Sequence, residues 1–184
     1  MRPLRLATLS VAMALGAGAA GASVTVLGNG LASACWQAAV RERADLEAMQ
    51  ACDLSLQNET LSRHDLAGTH INRGVLEMVQ GKYEAARSDF DRAIGLEPNL
   101  GEAWADRGAV NLGESRYQDA VADLTKALSL GTEAPEKAYF NRALAYEAMD
   151  DEKSAYFDFL QAETLAPNWP LPKKELLRFT VTRR

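Results

Sequence analysis

The residues able to carry chemistry are few, and their spacing suits little of it. The chain of 184 residues has two histidines, His64 and His70, which lie six apart and share no helical register for a common metal. No Gly-rich phosphate loop, serine-nucleophile elbow or zinc-ligand spacing occurs. The acidic run Asp150-Asp151-Glu152 reads as a helix start, where carboxylates meet the positive end of the helix dipole. An enzyme needs a nucleophile with its base, a metal cluster or paired acids in a pocket. None is legible, so the chain is expected to be non-catalytic, without cofactor or metal.

Two cysteines, Cys35 and Cys52, stand 17 residues apart. Two geometries are open. A turn at Ala44-Asp45 would let the sulfurs face each other and bond. One continuous helix over 31–56 would hold them about 25 Å apart, beyond bonding reach. Pairing is the expectation, because an even count in an exported chain favours it; two small buried thiols are the alternative. A glycosylation acceptor, Asn58-Glu59-Thr60, matters only in a eukaryotic secretory route.

Three arginines share one spacing rule. Arg73, Arg107 and Arg142 are each followed sixteen residues later by an acid: Asp89, Asp123 and Asp158. A partly buried guanidinium needs a partner, and its fork matches a carboxylate with two parallel hydrogen bonds. The expectation is three structural ion pairs; the alternative is a row of arginines that binds anions.

The elements that must position these residues are repeats. The chain aligns on itself with a period of 34. Thr69-His70-Ile71-Asn72-Arg73-Gly74 returns as Ala103-Trp104-Ala105-Asp106-Arg107-Gly108, and, with one extra residue at Pro135, as Ala138-Tyr139-Phe140-Asn141-Arg142-Ala143. Downstream in each copy lies Ala86, Phe90 and Ala93, then Ala120, Leu124 and Ala127, then Ala155, Phe159 and Ala162. Each copy holds two amphipathic runs of roughly 14 residues. They are broken at Gly81-Lys82-Tyr83, Ser115-Arg116-Tyr117 and Asp150-Asp151-Glu152. No strand-like alternation is evident.

On these residues the chain resembles the tetratricopeptide repeat family, whose pattern is W-x₂-L-G-x₂-Y, then A-x₃-F, then P. The resemblance covers about 67–168, as copies over 67–100, 101–134 and 136–169. It implies an all-α fold: a right-handed α-solenoid of three helix-turn-helix repeats. Arginine at 73, 107 and 142 departs from the family, which usually has a large apolar residue there. The stack needs ends. Residues 23–66 are read as a linker and a degraded helical pair, since Ala48, Cys52 and Ser55 keep the spacing of Ala86, Phe90 and Ala93. Residues 170–184 are read as a capping helix with a basic tail, its apolar contacts being Leu171, Leu176, Leu177 and Phe179.

The resemblance also implies a function. Stacked first helices line a concave face that binds a protein or peptide. In phase, that face holds Ile71, Asn72, Val75 and Met78, then Ala105, Asp106, Ala109 and Leu112, then Phe140, Asn141, Leu144 and Glu147. Asn72, Asp106 and Asn141 suit the backbone of an extended peptide. Asp106 is expected on the open side at the middle of the row. Some family members clamp a partner's C-terminal carboxylate with Lys and Asn; here Ile71 and Val75 stand in those places, so that clamp is absent. The alternative is a structural module that self-associates or organises an envelope complex through its edges and convex face.

Composition and charge set the remaining bounds. The chain is 47% apolar and 24% charged, with a net charge of −5, which fits neither a disordered chain nor a nucleic-acid binder. Residues 1–22 read as a signal peptide: Arg2 and Arg5, an uncharged run from Leu6 to Ala20, then the small-x-small triplet Ala20-Gly21-Ala22. An uncleaved anchor, a lipid-attachment cysteine at Cys35 and a buried helix are the rivals. The expected location is the periplasm or outside the cell. Without residues 1–22 the net charge is −7; the end from Leu171 carries +4 and residues 23–170 carry −11. Membrane contact is expected only through an uncleaved N-terminus or weakly through the basic tail.

Overall fold

The computed structural model describes residues 23–26 and 30–179. The segment read as an export signal, and Arg183 and Arg184 of the basic tail, lie outside the described residues. Among the described residues the chain is all-helical: α1 Leu31–Val40, α2 Leu46–Asn58, α3 Arg63–Val79, α4 Tyr83–Leu96, α5 Gly101–Gly113, α6 Tyr117–Leu130, α7 Pro135–Ala148, α8 Glu152–Leu165 and α9 Pro170–Leu176. None of these helices is long and apolar enough to cross a membrane.

Local chemistry sets the boundaries. Asp45, Ser62 and Asp151 accept hydrogen bonds from the backbone N–H of Ala48, Asp65 and Ser154, capping α2, α3 and α8. Pro135 and Pro170 open α7 and α9, where a missing N–H costs nothing. The turn inside each copy recurs in register. Gly81, Ser115 and Asp150 have φ of 73°, 61° and 61°. Only the first of these is glycine, the residue that enters that region without steric cost.

The helices pair as α1 with α2, α3 with α4, α5 with α6 and α7 with α8, and each pair packs on the next. Within a pair the seam is made by the small-large-small triads. Ala86, Phe90 and Ala93, Ala120, Leu124 and Ala127, and Ala155, Phe159 and Ala162 are all 0% exposed. Gly74 and Gly108 let the facing helix come close: a Cβ at either would stand 2.6 Å from Phe90 Cε1 or 2.7 Å from Leu124 Cγ. In the first pair Ala48, Cys52 and Ser55 are buried at the same spacing. Cys35 on α1 and Cys52 on α2 are joined as a disulfide, with Cα atoms 4.8 Å apart, and Arg41 to Asp45 form the turn between the helices.

Helix α9 closes the C-terminal end against α8. Trp169 packs against Phe140 with tilted rings whose centres are 4.8 Å apart, and the Phe179 ring lies 6.0 Å from that of Phe159. One expected contact is corrected. Leu177 is 81% exposed: its backbone is still helical, so it stands about 100° round the axis from Leu176, on the outward side. Pro172, on the same face as Leu176, is buried instead.

Candidate functional site

The first helices α1, α3, α5 and α7 stack side by side, and the repeat pattern predicts that their shared row is the open face. Most of the row is closed. Ile71, Asn72, Val75 and Met78 on α3, Asp106 and Ala109 on α5, and Phe140 on α7 are buried. Ala105, Leu112, Asn141, Leu144 and Glu147 are half-buried. Each closure has a structural cause. Helices α1 and α5 flank α3, and α3 and α7 flank α5, so Asp106 is only 3% exposed and not on the open side. Phe140 is covered by Phe159 and Trp169. Glu147 is paired with Arg178, just beyond α9.

The segment Ser23–Val26, outside any helix, covers Asn72, and Val24 turns its N–H and its carbonyl to the same side, as extended backbone does. The Asn72 side-chain amide donates to the Val24 carbonyl at 2.8 Å, and its Oδ1 accepts from the Val24 N–H at 3.0 Å. Both groups are buried. Val24 and Val26 sit over Gly68, where a Cβ would stand 3.0 Å from Val24 Cγ1 and 3.3 Å from Val26 Cγ2. Gly68 occupies the register of Glu102 and Lys137 in the later copies, so this seat exists only in the first. Asn141, two repeat steps after Asn72, keeps the amide in the same register and stays half-buried.

The arginines are committed to structure. Arg73 bonds Asp89 through Nε at 2.6 Å and Nη2 at 2.8 Å. Arg107 bonds Asp123 at 2.8 and 2.7 Å, and Arg142 bonds Asp158 at 2.7 and 2.9 Å. Each guanidinium also reaches back to the preceding pair: Arg73 to Asp53, Arg107 to Asp91 and Arg142 to the Thr125 hydroxyl. These second partners escaped the sequence reading. Asp91 and Thr125 are 34 apart, and Asp53 keeps the register once the four extra residues before the first copy are allowed for. Aromatic rings add to the support, with Arg107 over Trp104 at 4.8 Å and Arg142 over Tyr139 at 5.4 Å.

The first copy differs electrostatically. His70 Nδ1 lies 3.0 Å from Asp89, while His64 lies 2.9 Å from Glu97, so the two histidines serve separate acids. Burial pushes the Asp89 carboxyl up, but the hydrogen bonds from Arg73 and His70 outweigh it and hold Asp89 below the usual range. Glu77 is the opposite case. Burial, then the nearby charge of Asp89, pushes its carboxyl up to about 7. Glu59, inside the glycosylation-like triplet, accepts from the backbone N–H of Leu31 and Ala32 and so caps α1 from α2's end.

A shallow polar depression of about 300 Å³ lies between α4, α5 and α6. Its arginines are paired locally: Arg87 and Arg116 share Glu114, and Arg107 holds Asp91 and Asp123. The arrangement offers a charge-paired surface and hydrogen-bonding amides.

Comparison with known proteins agrees with this architecture. The family model described as tetratricopeptide repeat matches residues 67–100 and 136–168. The human tetratricopeptide repeat protein 13 is 31% identical over 130 residues, covering 68% of this chain. This chain spans only 14% of that protein's length. Among solved structures, the tetratricopeptide repeat domain of Arabidopsis OM64 superposes with a TM-score of 0.61 at 25% identity, covering 64% of this chain and 96% of that one. The crystal structure of MamA superposes with a TM-score of 0.66 over 82% of each chain; at 18% identity it shows the fold alone.

Proposed function

Because this chain is a tetratricopeptide repeat protein, we propose that it is a non-catalytic scaffold that binds an extended protein or peptide segment along its row of first helices. One observation carries the reading. Asn72 already holds an extended backbone by both its carbonyl and its N–H. Main-chain pairing of this kind supplies affinity, while side-chain pockets supply selectivity. Asn141 repeats the amide at the half-open end of the row, with Leu144 beside it. Affinity capture from envelope extract with wild type and with Asn141→Ala/Leu144→Asp tests the proposal. Loss of the captured partner, with an unchanged circular dichroism spectrum, is the expected result; equal capture overturns it.

A second reading has its own observation. On α8, Phe157 and Leu160, about one turn apart, are 56% and 37% exposed, an apolar pair suited to assembly through an outer face. A solution mass that rises with concentration in wild type and stays monomeric in Phe157→Asp favours it.

We infer also that the chain is exported. The support is the segment 1–22 and the Cys35–Cys52 pairing, which belongs in an oxidising compartment. Sequencing the N-terminus of envelope-fraction protein is expected to begin at Ser23; cytoplasmic protein that starts at Met1 overturns it.

A further inference from the structure

We propose that the Gly68–Asn72 face of α3 is a docking site for an extended strand with β-branched apolar residues two positions apart. Its present occupant, Val24-Thr25-Val26, is an internal copy of that ligand. A partner segment of the same pattern competes with it. The inference rests on the peptide-binding reading above and adds the ligand's pattern and its built-in competitor.

Three observations carry it. Asn72 spends both halves of its amide on one residue's main chain, at Val24. That contact recognises extended backbone irrespective of the side chain. Selection by side chain comes from the second feature: Val24 and Val26 are buried, while Thr25 between them is exposed. Alternate residues of an extended strand point to opposite faces, so this seat reads positions i and i+2 and leaves i+1 to solvent. The third is Gly68. Its missing side chain makes the room that the two valines fill, and Glu102 and Lys137 stand in its register elsewhere. The pocket is therefore specific to the first copy and is not a consequence of the repeat.

The arm is tethered to its seat, so a partner must beat a high local concentration. The apparent affinity of an external strand is reduced by the fraction of molecules whose seat is vacated. Freeing the seat should tighten external binding without adding a contact.

The test uses the full chain and a capped, fluorescently labelled peptide with the sequence of residues 22–27. Anisotropy is compared for wild type and for Val24→Asp/Val26→Asp. Binding about ten-fold tighter or more in the double variant is expected. Adding Gly68→Val to that background should abolish it, and a peptide with both valines replaced by Asp should bind neither protein. Equal affinity for wild type and variant, or binding that survives Gly68→Val, overturns the proposal. So does absence of binding in a variant whose helical spectrum and melting remain those of a folded stack. A measurement on wild type alone covers the case in which the variant unfolds. The Val24 amide, bonded to Asn72, should exchange slowly with solvent and faster at saturating peptide; no change overturns the idea. If wild type dimerises with concentration and Val24→Asp/Val26→Asp does not, the ligand is a second copy and the partner proposal fails. Capture that depends on Asn141 while the 22–27 peptide binds nowhere would sink this inference alone; the reverse pattern would sink the Asn141 reading alone.

Discussion

Arg107 on α5 is bonded to Asp91 on the preceding pair at 2.7 Å while its other nitrogens are locked to Asp123. One guanidinium thus joins three helices, α4, α5 and α6. The same arrangement recurs at Arg73 and, with a hydroxyl as the outer partner, at Arg142. Repeat stacks depend on the interface between neighbours, and here an arginine at the seam supplies part of it.

The two acids of Arg107 should differ sharply in worth. The Asp123 side chain is 8% exposed and also accepts from buried Asn111; Asp91 is 53% exposed. Removing one partner of a buried pair costs about 3–5 kcal/mol, whereas exposed pairs are worth roughly 0–1 kcal/mol. In urea unfolding, Asp123→Ala should lose several times more stability than Asp91→Ala. Equal losses would mean that the inner bond has no special weight.

Gly108→Leu should force α5 and α6 apart, because even a Cβ at that position meets Leu124 Cγ at 2.7 Å. Overpacking at such a seam costs about 1–3 kcal/mol. A melting temperature equal to wild type would refute the packing argument.

Glu77 gives a pH signature whose sign follows from its raised carboxyl. In the unfolded chain it titrates at 4.5 and in the fold at about 7. The folded state therefore holds the extra proton between those values, and this group's contribution to stability declines as pH rises through that window. Glu77→Gln cannot ionise, so its melting temperature should gain on wild type between about pH 5 and pH 8. A gap between the two that stays constant with pH would show that Glu77 is ionised throughout.

The first pair should depend on its disulfide. Cys35 and Cys52 close a loop of separation 17, worth about 3 kcal/mol in the chain-entropy model. Unreduced protein is expected to show no free thiol after denaturation and two after reduction. Two thiols before reduction would remove the bridge.

The repeats, the helical pairs and their seams were legible in the sequence because each copy states them locally. Ala86, Phe90 and Ala93 recur with fixed spacing, and an α-helix puts such positions on one face. The arginine–aspartate spacing recurs for the same reason. What covers the inner row was not legible. Val24–Val26 and Arg178 belong to segments that do not repeat, and Trp169 brings an indole to a register that holds Leu100 and Ala134 in the earlier copies, so no periodic signal says what will dock on the row. The sequence placed Asn72, Asp106 and Asn141 in one register; tertiary packing decided that Asn72 holds the chain's own backbone, that Asp106 is enclosed and that Asn141 stays half-open. Periodicity sets which face a residue occupies, but burial depends on what else the chain brings to that face.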